Sequence, residues 1–293
     1  MAPRRQIKDF RNIKTLDFYV LRAMEHLEGL SLPEIKIESN DRNIFLGSGS
    51  AACVAELFTK RFSGLSRNVS NYKRFFKETK KENIGSTYII SASGGKDAVK
   101  MADFLAKAGL EPNLITCNEE APAKKLSEKT IVFPALQEPP TYNVSTYGSM
   151  IYWLFGENIN KIKKILEQLK IPNLRKYKYV FFLAADEYDV IAKIASRKVA
   201  ETLEGIGSNG DGFSNSAHGM LRQPNKERLV FCLNQSWPEE KNVYSISIDS
   251  HLGLMLASYY VIGKNQTEKD TKNLLKDYEK TIKRLGWKIN KIF

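Results

Sequence analysis

Two short stretches combine serine, glycine and the start of a helical pattern: Phe45-Leu-Gly-Ser-Gly-Ser-Ala-Ala and Ile90-Ser-Ala-Ser-Gly-Gly-Lys-Asp. Glycine lets the main chain come close to a ligand, which points to Gly47, Gly49 and Gly94. The first amides of a helix, backed by its dipole, favour an anion. Hydroxyls at Ser48, Ser50, Ser91 and Ser93 add donors, and Lys96 adds a positive charge. Neither stretch has the Gly-Lys-Ser/Thr spacing of a P-loop or a complete dinucleotide fingerprint. A Ser/Gly turn ahead of a helix is commonly no more than a cap. Two such turns in consecutive strand–helix units converge at the carboxyl ends of adjacent parallel strands, where open sheets bind ligands.

A second set of groups lies further on. Lys198 stands three residues before Glu201, so a helix puts both on one face. His218, which titrates in the useful range, sits in a run from Gly205 to Gly219 with five glycines among small polar residues. That composition excludes a stable helix or a central strand and reads as a functional loop. A Lys/Glu pair on a charged helix is ordinarily solvated, and a lone loop histidine is ordinarily surface.

The elements that position these groups alternate between strand and helix. Residues 14–40 read as a helix with Leu16, Tyr19, Val20, Ala23 and Leu27 on one face, then a Pro-containing turn. Strands are expected at 43–48, 87–91, 112–117 and 130–133, with helices at 51–62, 97–108 and 124–128 between them. Residues 63–86 read as a polar stretch. After Pro139-Pro140 a long helix is expected from about Thr146, and 158–170 reads as a connecting helix. A second run follows: strands at 179–184, 228–232 and 243–248, helices at 189–203, 251–262 and 269–285. Strands separated by helices argue for βαβ units and parallel sheets. The expected class is α/β, as two three-layer αβα domains. The expected boundaries are an N-terminal helical segment at 1–40, a phosphate-binding domain at 41–156, a connecting helix at 157–176 and a second domain at 177–293.

The 293 residues carry 42% hydrophobic and 27% charged residues, ordinary for a globular chain. No stretch approaches the roughly 18 apolar residues of a membrane span, and no secretory signal is expected at the basic N-terminus. Cys53, Cys117 and Cys232 are odd in number, widely spaced and each within an apolar run. They read as buried free thiols in a reducing, cytoplasmic setting, with no metal-ligand spacing and no cofactor expected. The net charge of +12 is scattered among acids, without a nucleic-acid module, so it predicts a surface favouring anionic ligands. His251 reads as structural or an interface residue, His26 as partly exposed within the first helix, and Tyr142, Tyr147 and Trp153 as core.

Ile89-Ile-Ser-Ala-Ser-Gly-Gly-Lys-Asp-Ala resembles the "iSqSGeTad" signature of the sugar isomerase (SIS) domain family. It is followed at the family's distance by Ala108-Gly-Leu-Glu-Pro-Asn-Leu-Ile-Thr-Cys-Asn and by Lys125-Leu-Ser-Glu. Leu46-Gly-Ser-Gly-Ser resembles the family's first glycine turn, and Val144-Ser-Thr-Tyr its later helix start. Ala192-Lys-Ile-Ala-Ser-Arg-Lys-Val-Ala-Glu and Ala217-His-Gly resemble the "A…A.K..E" helix and "HG" of the second SIS domain in double-SIS isomerases. The resemblance spans about 43–262. It implies that Ser48, Ser50, Ser91, Ser93 and Ser145 hold the phosphate of a phosphosugar. It implies also that Glu201 is the acid/base residue, His218 the ring-opening residue and Lys198 a neighbour of the substrate. Two departures stand out: Lys96 replaces the usual Thr, and Ala184-Ala-Asp-Glu replaces the glycine turn in the second half.

By its size the chain resembles the bifunctional phosphoglucose/phosphomannose isomerases. The implied reaction is aldose–ketose isomerisation of a hexose 6-phosphate by ring opening and enediol proton transfer, in a homodimer. An amino-sugar phosphate deaminase or deglycase, and a non-catalytic phosphosugar-binding regulator, are the alternatives.

Overall fold

A computed structural model describes residues 13–139, 141–216, 225–237 and 242–284. The chain folds as a mixed α/β protein with two parallel sheets, one of five strands and one of four. The described residues fall into two compact units. One takes in 26–137 and 145–158; the other takes in the described parts of 1–25, 138–144 and 159–288.

Helix α1 (Leu16–Glu28) comes first among the described elements and belongs, up to Glu25, to the other unit. In the first of these units, β1 (Ile44–Gly47) leads to α2 (Ser50–Phe62), β2 (Leu65–Asn68) and α3 (Tyr72–Glu78). Then come β3 (Thr87–Ile90), α4 (Lys96–Lys107), β4 (Pro112–Thr116), β5 (Thr130–Val132) and α5 (Val144–Phe155). The sheet order is β2-β1-β3-β4-β5 and every pairing is parallel. β1 sits inside, with Phe45 opposite Tyr88 and Leu46 opposite Ile89. Its Ile-Phe-Leu run and the Tyr-Ile-Ile run of β3 are buried on both faces, as parallel strands under helices must be. Phe45 stacks on Tyr88 at 5.0 Å, and Phe58 of α2 stacks on Trp153 of α5 at 6.0 Å. On the other face Ile44, Leu46, Ile89 and Leu114 pack with Met101 and Leu105 of α4.

Besides most of α1, the second unit contains α6 (Ile159–Gln168), then β6 (Tyr179–Ala184), α7 (Asp189–Thr202), β7 (Gly207–Gly212) and α8 (Phe213–Ser216). It closes with β8 (Arg228–Leu233), β9 (Val243–Ile246), α9 (His251–Lys264) and α10 (Glu268–Arg284). The sheet order is β7-β6-β8-β9, again all parallel. Val180 to Ala184 and all of β8 are buried. α9 is apolar on nearly every side and buries eleven residues from Leu252 to Gly263, the mark of a core helix.

Four sequence expectations change. The first helix ends at Glu28, not near residue 40, because Gly29 and Pro33 follow its last periodic residue. The polar stretch 63–86 contains β2 and α3; β2 reads Leu-Ser-Arg-Asn, and an edge strand with Leu65 40% exposed carries no apolar alternation. The helix expected as a connector, α6, buries Ile159, Ile162 and Leu166 and groups with the second unit. Within the described part of the Gly-rich run, Gly207–Gly212 pairs along the whole of β6 as an edge strand and Phe213–Ser216 forms α8.

Glycine is what lets β7 pack. A Cβ on Gly210 would lie 2.2 Å from the carbonyl oxygen of Ala192 in α7, so helix and strand meet backbone to backbone. Ser208 Oγ donates to the Ser196 carbonyl at 2.6 Å along the same seam. Gly210→Ala is therefore expected to destabilise the protein by about 2 kcal/mol or more, the scale of overpacking a filled site. Urea unfolding with an unchanged midpoint would contradict this.

Candidate functional site

Parallel pairing of β1 with β3 sets the turns Gly47–Ser50 and Ser91–Gly95 side by side at the carboxyl ends of neighbouring strands. Ser48, Gly49 and Ser50 lead into α2, and Gly49 takes a positive φ of 58° as its N-cap. Ser91 continues the β3–β4 ladder, its amide donating to the Ile115 carbonyl at 2.9 Å. The amide of Gly94 then donates to Ser91 Oγ at 3.1 Å, and that of Gly95 to Ser93 Oγ at 3.3 Å. Both serine oxygens are acceptors here, which leaves each O–H as the proton it can give to a ligand. Gly94 is obligatory: its φ is 58°, and a Cβ would lie 2.4 Å from the Ala121 Cβ.

The turn is clamped from the β4 side. Thr116 Oγ1 donates to the Ala92 carbonyl at 3.0 Å, Asn118 Nδ2 to the Ser93 carbonyl at 3.0 Å, and the Ala123 amide to the Gly94 carbonyl at 2.9 Å. Thr116 and Asn118 were visible in the sequence as the Thr-Cys-Asn of the SIS resemblance, but their work as holders of the turn was not. Asp97 was missed altogether. Its Oδ2 accepts from Ser48 Oγ at 2.9 Å, and its Oδ1 lies 3.8 Å from Lys96 Nζ. Burial, partly offset by Asp97 and reinforced by Lys100, holds the Lys96 ammonium below its ordinary range. Ser50 is buried at the start of α2. Ser145, in the first turn of α5, is fully buried and its Oγ accepts from the Leu136 amide at 2.9 Å.

The other unit brings Lys198 and Glu201 together on α7. Lys198 is completely buried, and its Nζ donates to Glu201 Oε2 at 2.6 Å and to the Thr141 carbonyl. The ammonium also lies 5.2 Å from the ring centroid of Tyr259, a cation–π distance. The Glu201 side chain is 37% exposed. It opens on a cavity of about 680 Å³ lined also by Thr141, Glu204, Gly207, Asp270 and Asn273.

Asp270 ties this wall together. Its carboxylate accepts from the Thr267 amide and hydroxyl, each at 2.7 Å, from the Glu204 amide at 3.1 Å, and from Arg175. Burial would raise its pKa, but those donors outweigh it and hold the carboxyl below its ordinary value of 3.8.

His218 lies outside the described residues. His251 starts α9, with Nε2 3.3 Å from the Glu187 carbonyl and its ring 4.7 Å from that of Tyr188, while the Tyr188 hydroxyl donates to Asp249 at 2.6 Å. Cys53, Cys117 and Cys232 are buried and stand outside any disulfide among the described residues. Among the described residues no three His, Cys, Asp or Glu side chains are placed to hold a metal ion, and no helix is long and apolar enough to cross a membrane.

No protein-family model matches the chain, and no curated protein matches it. Solved structures do match. A proposed phosphosugar isomerase of Clostridium difficile 630 superposes with a TM-score of 0.68 at 13% identity, over 94% of this chain and 99% of that one. Glucosamine-6-phosphate deaminase of Thermotoga maritima gives 0.56 at 16% identity, over 92% and 93%. Tagatose-6-phosphate ketose/aldose isomerase of Escherichia coli gives 0.57 at 15%, over 85% and 86%. At these identities the likeness is one of fold: the chain has a SIS-like αβα fold.

Two stability outcomes follow. Lys198→Met strips the Thr141 carbonyl and Glu201 of their buried donor and is expected to cost about 1–3 kcal/mol in urea; no loss would show that the ammonium does not hold this wall. Because the Asp270 pKa is depressed on folding, its contribution is present above 3.8 and lost as pH falls through the folded value. Asp270→Asn should therefore be less stable at pH 7 and lose less stability than the parent on acidification below 3.8. Parallel acid titration curves for the two would refute it.

Proposed function

We propose that this chain is a phosphosugar aldose–ketose isomerase acting on a hexose 6-phosphate. The observation that carries the reading is the pair of Ser/Gly turns at the carboxyl ends of adjacent parallel strands, within a SIS-like fold. In this reading Gly47, Ser48, Gly49, Ser50, Ser91, Ser93, Gly94, Lys96 and Ser145 serve the phosphate. The α4 amides and the Ser91 and Ser93 hydroxyls supply donors to its oxygens, and Lys96 supplies charge.

Isomerisation also needs a group that opens the ring and a base that moves a proton between C1 and C2. We assign the base to Glu201, whose partly exposed carboxylate borders a cavity, with Lys198 fixing its rotamer through the 2.6 Å bond. Ring opening is assigned to His218. The two units are read as two SIS-type domains, one built on 41–156 and the other on 177–293 together with α6. The resemblance to double-SIS isomerases further suggests a cytoplasmic homodimer, and three buried thiols outside any disulfide are in keeping with a reducing compartment.

The alternative enzyme is an amino-sugar phosphate deaminase or deglycase, favoured by the fold likeness to glucosamine-6-phosphate deaminase. A non-catalytic phosphosugar regulator is favoured by Lys96 standing where the family has Thr. Incubation with fructose, glucose, mannose and glucosamine 6-phosphates separates the three. Interconversion among the first three is expected, with Glu201→Gln lowering kcat by about a hundredfold or more while phosphosugar binding persists. Ammonia release would select the deaminase, and binding without turnover the regulator.

A further inference from the structure

The cradle at β1 and β3 is not an empty ring of donors. Ser48, one of its hydroxyls, already gives its proton to Asp97 Oδ2 at 2.9 Å, across from one strand–helix turn to the other. The same carboxylate has its second oxygen 3.8 Å from the Lys96 ammonium. Both side chains are screened from solvent, Lys96 being 30% and Asp97 26% exposed. The two positions that follow Gly95 thus carry one positive and one negative charge, directly at the amino end of α4. An acid in the first turn of a helix is ordinarily explained by the dipole alone. That explanation needs no partner on the neighbouring turn, whereas Asp97 has one.

We propose that Asp97 is a specificity-determining residue that occupies the Ser48 limb of the cradle, so that an incoming phosphate must exchange with it. This rests on the phosphosugar reading above. A carboxylate oxygen and a phosphate oxygen are both anionic acceptors, and one hydroxyl proton serves one of them. Like charges within a few ångström in a partly dry site repel, so Asp97 lowers the affinity for any phosphate and lowers it most for a dianion. Lys96 offsets that charge, which accounts for why a cation stands beside it. The pair keeps the unliganded cradle neutral and makes phosphate binding an exchange of acceptors instead of a simple filling of a positive hole.

The test is calorimetric titration of inorganic phosphate and fructose 6-phosphate into the full chain and into D97N, D97A, S48A and the double variant D97A/S48A. D97N keeps an acceptor for Ser48 and the shape of the helix start, and D97A removes both charge and acceptor; thermal melts establish that each is folded. Both single Asp97 variants are expected to bind phosphate about tenfold more tightly than the parent. S48A is expected to weaken binding about threefold more in the D97A background than in the parent, because there the hydroxyl has lost its acceptor and is released to the ligand. A helix-dipole role would lower the melting temperature of D97N with no gain in affinity, and that result overturns the proposal. Binding by the parent with equal or weaker binding by both Asp97 variants overturns it too, while leaving the phosphosugar reading in place. Absence of binding by the parent and by every variant removes the phosphosugar reading and this inference with it. Binding by D97N and D97A alone supports the inference in its strongest form.

Discussion

Parallel strands cannot be joined by a tight turn, so each pair needs a helical crossover, and every strand delivers its connecting loop to the same edge of the sheet. Here β1 and β3 are hydrogen-bonded neighbours, Ile44 opposite Thr87 through Leu46 opposite Ile89. That one pairing sets the two Ser/Gly turns side by side and aims the amino ends of α2 and α4 at a common edge. The contacts that shape the candidate anion site follow from it. Ser48 reaches Asp97 because their strands are adjacent, and Thr116 and Asn118 reach the second turn because β4 is the next strand along.

The two sheets use the same plan with different chemistry at the corresponding place. In the first, β3 runs into a turn whose serine oxygens receive amides and whose glycine has a positive φ. In the second, β6 runs into Ala185-Asp-Glu, where the Asp186 carboxylate receives the amide and hydroxyl of Ser214. A carboxylate there occupies the donors that an anion would need. The buried charged pair of the second unit lies instead on α7, where a fully buried ammonium meets a half-open carboxylate.

That pair is a demanding arrangement to keep. A lysine buried to 0% exposure is tolerated only with its proton donors used, and Lys198 spends them on a carbonyl, a carboxylate and an aromatic face. The Asp270 network supports the same cavity wall, joining Arg175, Glu204 and Thr267. A carboxylate held this way has its rotamer set by the fold.

Much of the fold could be read from the chain alone. β6 and α7 are built of residues whose burial pattern is already visible as apolar runs and helical periodicity, and both turns declare themselves by Ser and Gly before a helix. β2 and β7 could not be read in that way. Both are edge strands, and an edge strand needs only one partner and a tolerable surface, so Leu-Ser-Arg-Asn and Gly-Ser-Asn-Gly-Asp-Gly serve without any apolar alternation. The residues of the candidate site were legible as types: serines, glycines, Lys96, and Lys198 with Glu201 at helical spacing. What only the tertiary structure decided was their partners. Asp97 is three-dimensional information, because nothing local links it to Ser48, 49 positions away. The burial of Lys198 is likewise set by Thr141 and Tyr259, which lie far from it in sequence. Local pattern determines which element a residue belongs to; what its charge faces depends on elements brought together by packing.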